Sequence, residues 1–178
     1  MIEKELDKLG IQHWNSHPED GWVDNTHQND SKDLILRVQR INSKYTSVKK
    51  EGKTAIMLSI HVNAAGNGIT WKNATGWSAW TTKGQNNSDK LADCLYDAAE
   101  KVLKPLKKKI REDKSDGDND YESNFYVIKN SNCIGVLTEN FFMDSKQDCE
   151  WLLSDEGKKA ITDIHIEGIK KYIEKYIK

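Results

Sequence analysis

Thr54-Ala55-Ile56-Met57-Leu58-Ser59-Ile60-His61-Val62-Asn63-Ala64 is the stretch from which the rest of the chain can be laid out. Ala55 to Leu58 is apolar without a break, and the run passes through Ser59 and Ile60 to a single histidine, His61. Continuous apolarity over this length describes a strand covered on both faces, as in the middle of an α/β sheet. His61 then falls at the strand's C-terminal edge, where open α/β sheets place their ligands. Cys133-Ile134-Gly135-Val136-Leu137-Thr138-Glu139-Asn140 repeats the pattern, a buried-strand run ending in a polar pair headed by Glu139. An imidazole and a carboxylate delivered by two such strand ends are parts of a metal-assisted hydrolytic site.

The 178 residues suffice for one domain with a real core. The net charge of -1 gives no footprint for nucleic acid or an anionic membrane. No segment approaches the roughly 20 apolar residues of a membrane helix. The start, Met1-Ile2-Glu3-Lys4-Glu5-Leu6, lacks the apolar core of a secretory signal. Cys94, Cys133 and Cys149 are widely spaced and make no CxxC pair, so they read as small core residues.

Outward from the two strands, residues 2–9 read as the end of a helix stopped by Gly10, and residues 11–14 as a short strand. Residues 15–29 are loop-like, and Ser31 can cap a helix through Tyr45 with Leu34, Val38 and Ile41 buried. Residues 77–82 and 125–128 have strand composition. A helix is expected over 88–103, a short one begins near Ser145, and a long one runs from Ser154 to Tyr176. The polar stretch 104–122 carries a basic block (Lys107, Lys108, Lys109) and an acidic one (Asp113, Asp116, Asp118, Asp120), read as hydrated loop rather than a calcium site. Alternating strands and helices predict an α/β sandwich with a largely parallel sheet.

His165 falls on the apolar stripe of the last helix and reads as a core histidine. His13, His17 and His27, with Asp20 and Asp24, lie in the N-terminal loop without the spacing of familiar zinc motifs. Trp71, Trp77 and Trp80 stand close to His61 in sequence. Trp71 is the candidate for lining a groove, and core packing accounts equally well for Trp80.

Taken together, Ser59-Ile60-His61-Val62-Asn63-Ala64, Gly76-Trp77, Lys83-Gly84-Gln85 before Ser88-Asp89-Lys90-Leu91-Ala92, Val136-Leu137-Thr138-Glu139-Asn140-Phe141-Phe142 and Leu152-Leu153-Ser154-Asp155-Glu156-Gly157 resemble the zinc-dependent N-acetylmuramoyl-L-alanine amidases of the amidase 3 family. The resemblance covers most of the chain from about Ser31 onward. It implies a three-layer, phosphorylase/hydrolase-like α/β sandwich with a mostly parallel sheet. It further implies a peptidoglycan hydrolase that cleaves the amide between N-acetylmuramic acid and the L-alanine of the stem peptide. His61 matches a zinc ligand of that family and Glu139 its catalytic acid/base; Asn63, Trp71 and Asn140 are the candidate substrate contacts. One zinc ion is the implied cofactor of a complete site.

The family opens with a Gly-His-Gly strand and a following glutamate that supply two further zinc ligands, and neither matches this sequence. The expectation is therefore a single amidase-like domain over 1–178, shortened at its N-terminus. Its open sheet edge would invite pairing with another chain or the missing segment. A catalytically inactive module binding cell-wall fragments or a protein partner remains the second reading. Family members act at the cell wall or periplasm, while the sequence leaves this chain's location open.

Overall fold

A computed structural model describes residues 1–17, 23 and 30–177, with Asp30 described only by its backbone. Ten elements follow in order: α1 (Ile2–Lys8), α2 (Asp30–Lys50), β1 (Ile56–Asn63), β2 (Trp77–Thr81), α3 (Asn87–Leu103), β3 (Tyr121–Glu122), α4 (Tyr126–Asn130), β4 (Ile134–Phe142), α5 (Lys146–Leu153) and α6 (Asp155–Tyr176). The strands form one sheet in the order β1-β4-β2-β3.

The sheet is mixed, which corrects the expectation of a mostly parallel one. β1 runs parallel to β4 and β2 parallel to β3, but β2 is antiparallel to β4. The cause lies in the connection after β1. No helix carries the chain back along the sheet. Residues 64–76 stay at the edge where β1 ends, held by Asp144, which follows β4. The Asp144 carboxylate accepts from the Ala65 and Gly66 amides, and its carbonyl accepts from Lys72 N–H at 2.7 Å. β2 therefore starts where β1 stopped and must run back. Antiparallel neighbours need no crossover helix.

One face of the sheet packs on α3 and α6. Trp77, Ala79 and Val136 join Leu91, Leu95, Tyr96 and Ile164 in the main core. The two helices approach closely because Gly168 offers no side chain: a Cβ there would stand 2.6 Å from Leu95 Cδ2. α3 starts on an Asn86–Asp89 capping box, and Ser154 caps α6 through Gly157 N–H. A smaller cluster of Leu6, Ile166 and Ile169 receives Ile56 and Leu58 from β1 and Ile11 from the N-terminal segment.

Two expected strands do not form. Residues 125–128 belong mainly to α4, despite a Phe-Tyr-Val-Ile composition that suits a strand. The turn is closed by side chains: Asn130 Nδ2 donates to the Tyr126 carbonyl and Ser131 Oγ to that of Val127. Residues 11–14 carry no regular element, and their side chains are tied locally, His13 to Asp7 and Gln12 to Lys53.

His165 is the core histidine its position predicts. The buried ring lies between the Ile161 carbonyl, 2.7 Å from Nδ1, and the Thr138 hydroxyl, 2.9 Å from Nε2. With Nδ1–H as donor, Nε2 accepts from Thr138, so the neutral tautomer satisfies both partners. Burial lowers its pKa to about 4. Between that value and the ordinary 6.5 the unfolded chain binds more protons, so stability falls as pH drops through this window. His165→Gln should flatten the loss between pH 6.5 and 4 in urea melts, at the cost of lower stability at pH 7. An unchanged pH profile would remove His165 from the account.

Candidate active site

β1 and β4 bring His61 and Glu139 side by side as register partners, and Glu139 pairs in turn with Ser78 of β2. Register partners on neighbouring strands point to the same face. Because Thr138 meets His165 of α6, its neighbour Glu139 faces the opposite way. His61, Glu139 and Ser78 thus form a row across three strands, on the face turned away from α6. A register shift follows at once between His61 and Asn63, and Phe141 takes the unusual φ of +64° beside it. Bulges of this kind re-aim side chains at the rims of sites.

Burial pushes the Glu139 carboxyl up to about 7, against the opposing pull of the Arg111 guanidinium. Its Oε2 is buried and has no hydrogen-bond partner, and the same holds for Ser78 Oγ and Arg111 Nη1. Glu139 thus holds a proton through much of the neutral range, the state a general acid requires. The His61 ring keeps an exposed flank, with Nε2 3.1 Å from Ser59 Oγ. Crowding by the protein lowers its pKa, and the charge of Arg37 on α2 adds to this. The imidazole is therefore neutral at pH 7, the form that can donate a lone pair.

The other sequence candidates fall in distinct places. Asn63 lies at the end of β1, its side-chain oxygen accepting from Ala64 N–H at 2.8 Å. Trp71 stands 63% exposed on the 64–76 loop, free to meet a ligand. Asn140 is 2% exposed and spoken for. Its Nδ2 donates to the His61 carbonyl at 2.8 Å and to Thr138 Oγ1, while Oδ1 accepts from the Trp77 indole at 2.9 Å. Both amide hydrogens are committed in this way, and the side chain ties the strand ends together. Trp77 is core, edge-on to Tyr96, and Trp80 stacks on Tyr121.

Ser78, Arg111 and Asp144 were not singled out from sequence. Ser78 sits inside a Trp-Ser-Ala-Trp run that reads as strand filler, and Arg111 in a polar stretch read as loop. That stretch is partly ordered into the sheet: Ile110 bridges Trp77, and Tyr121 and Glu122 form β3. Its acidic block is not a cation cage. Asp120 is buried, accepts from Thr81 Oγ1 at 2.6 Å, and is raised to about 7 by burial and its acidic neighbours. Cys94 is buried, and burial raises the Cys133 thiol to about 11, so neither is a poised thiolate.

The donor set does not by itself fit a catalytic zinc. Such a site takes three protein ligands. Among the described residues no group of three or more histidine, cysteine, aspartate or glutamate side chains is placed to hold a metal ion. His17 is described, apart from any such group; His27, Asp20 and Asp24 lie outside the described residues. Among the described residues, no helix is long and apolar enough to cross a membrane.

Comparison with known proteins accords with the fold. The chain is 27% identical over 143 residues to an endolysin of Bacillus phage SPP1, a match covering 79% of this chain and 45% of the endolysin. It thus spans less than half the length of that relative. An N-acetylmuramoyl-L-alanine amidase from Clostridium difficile 630 superposes with a TM-score of 0.71 at 22% identity, covering 98% of this chain and 81% of that one. The CwlD amidase from Clostridioides difficile, solved in complex with the GerS lipoprotein, gives the same TM-score at 16% identity, covering 97% and 81%. At these identities the two structures speak to the fold alone. The family model described as N-acetylmuramoyl-L-alanine amidase matches residues 2–171, nearly the whole chain, and the protein belongs to that family.

Proposed function

We propose that this chain acts on peptidoglycan, at the amide between N-acetylmuramic acid and the L-alanine of the stem peptide. The observation that carries this reading is the row His61–Glu139–Ser78, with a carboxyl that burial keeps protonated to about pH 7 beside a neutral imidazole. In this role Glu139 gives a proton to the departing amine nitrogen and takes one from the attacking water. His61 is the imidazole that would face a zinc ion. Zinc, where bound, polarises a carbonyl and activates water, but the described residues give His61 no partner ligands. Asn63 and the exposed Trp71 are the proposed substrate contacts, with the indole face packing on a sugar ring or peptide. Asn140 holds the two strand ends in register.

The incomplete donor set favours a second reading, in which the groove binds muropeptide without cleaving it. Both readings place the ligand at one site, which can be tested first. Titration with N-acetylmuramoyl-L-alanyl-D-glutamate should perturb the NMR signals of the Trp71 indole and the His61 ring, and spare the Trp14 indole. Perturbations confined to other surfaces, or none at millimolar ligand, would overturn the assignment.

A further inference from the structure

Arg111 is held with unusual care for a residue in a polar connection. Its N–H donates to the Trp77 carbonyl at 2.8 Å, and its own carbonyl accepts from the Tyr96 hydroxyl at 3.0 Å. The guanidinium carbon lies 5.4 Å from the Tyr121 ring centroid and 5.3 Å from that of Phe142. Gly76, at φ +121°, leaves the space its stem occupies: a Cβ there would stand 2.8 Å from Arg111 Cγ. Aromatic flanks and a glycine cradle fix the planar fork in one orientation.

Yet Nη1, shut off from water, has no acceptor. A buried donor of a charged group left unpaired costs stability. The nearby carboxyl does not relieve it, because Glu139 Oε2 is itself without a partner. Ser78, the residue after Trp77, likewise presents an unpartnered hydroxyl. One cationic donor and two further unpartnered polar groups thus border the same row.

We infer that Arg111 is the specificity residue of this site, receiving a carboxylate of the peptide substrate next to the bond that Glu139 serves. A guanidinium fork matches a carboxylate, and a charge-assisted bond in a water-poor setting discriminates it from a neutral carboxamide. The stem peptide offers such a group on the acidic residue after L-alanine. The inference rests on the substrate reading above and adds which stem the site prefers.

The test is calorimetric binding of N-acetylmuramoyl-L-alanyl-D-glutamate and of its carboxamide, D-isoglutamine, analogue to the wild-type chain, Arg111→Lys and Arg111→Met. For the wild type the carboxylate ligand should bind about tenfold or more tightly, as a charge-assisted bond predicts. The ratio should collapse to about one in Arg111→Met and recover in part in Arg111→Lys, which keeps the charge without the fork. Circular dichroism on all three proteins checks folding, and if Arg111→Met does not fold, the wild-type and Arg111→Lys ratios decide. Equal binding of the two ligands by the wild type, or a preference that survives in Arg111→Met, would overturn the role of Arg111 while leaving the substrate reading standing. Failure of the wild type to bind either ligand at millimolar concentration would overturn the substrate reading itself, and this inference with it.

Discussion

Glu139→Gln is expected to abolish amide hydrolysis and, at the same time, to make the protein more stable above pH 7. The first effect follows from the proposed proton transfer. Gln cannot exchange a proton, and loss of a general acid/base lowers turnover by about 10²–10⁴-fold under identical metal supplementation. The second follows from linkage. The folded carboxyl titrates near 7, raised from 4.5 by burial, so wild-type stability is full below the unfolded value and is lost as pH rises through the folded one. Glutamine removes that penalty. The gain at pH 8 in chelator-treated protein is of the order of 1–3 kcal/mol, and it should vanish at pH 4. Thermal melts at the two pH values read it directly. Equal melting shifts at pH 4 and pH 8 would mean that the carboxyl is not perturbed as described.

Asn140 is the second large lever, and it acts on the scaffold. Asn140→Ala removes the acceptor of the buried Trp77 indole and the donor to the His61 carbonyl, and it opens a small void between β1, β4 and β2. Unsatisfied buried groups cost about 1–3 kcal/mol each, so a combined loss of roughly 2–4 kcal/mol is expected in urea denaturation. Asn140→Asp should fare no better at pH 8, since a carboxylate can accept from Trp77 but cannot donate to His61. Acid should relieve it as the carboxyl protonates. A change under 0.5 kcal/mol in Asn140→Ala would show that this network does not hold the strand ends together.

Both predictions concern residues that the sequence singles out, Glu139 as an acid/base and Asn140 as a substrate contact, and the structure adds the bonds of Asn140 to His61, Thr138 and Trp77. The apolar runs before His61 and Glu139 were legible because a strand covered on both faces needs no alternation. Their pairing in register was not, since it depends on which strands become neighbours. The helices α3 and α6 were legible from their apolar stripes and caps. Strand direction was hidden in the 64–76 loop, whose tether is one carboxylate, Asp144, 79 residues after Ala65 and 78 after Gly66 in the chain. Residues 125–128 misled because aromatic and β-branched side chains fit a strand, and the local bonds of Asn130 and Ser131 decide for a helical turn. Arg111 was invisible for a related reason: its surroundings come from Gly76, Tyr121 and Phe142, which no periodicity connects.

The measurement that bears most directly on the central claim is mass spectrometry of purified peptidoglycan incubated with the zinc-supplemented chain, with Glu139→Gln in parallel. The account predicts free stem peptides with an L-alanine N-terminus and glycan whose muramic acid carries a free lactyl carboxylate, both absent from the variant digest. Cleavage within the glycan or between stem residues, products that persist in Glu139→Gln, or peptidoglycan that is bound and left intact by the wild type would contradict it.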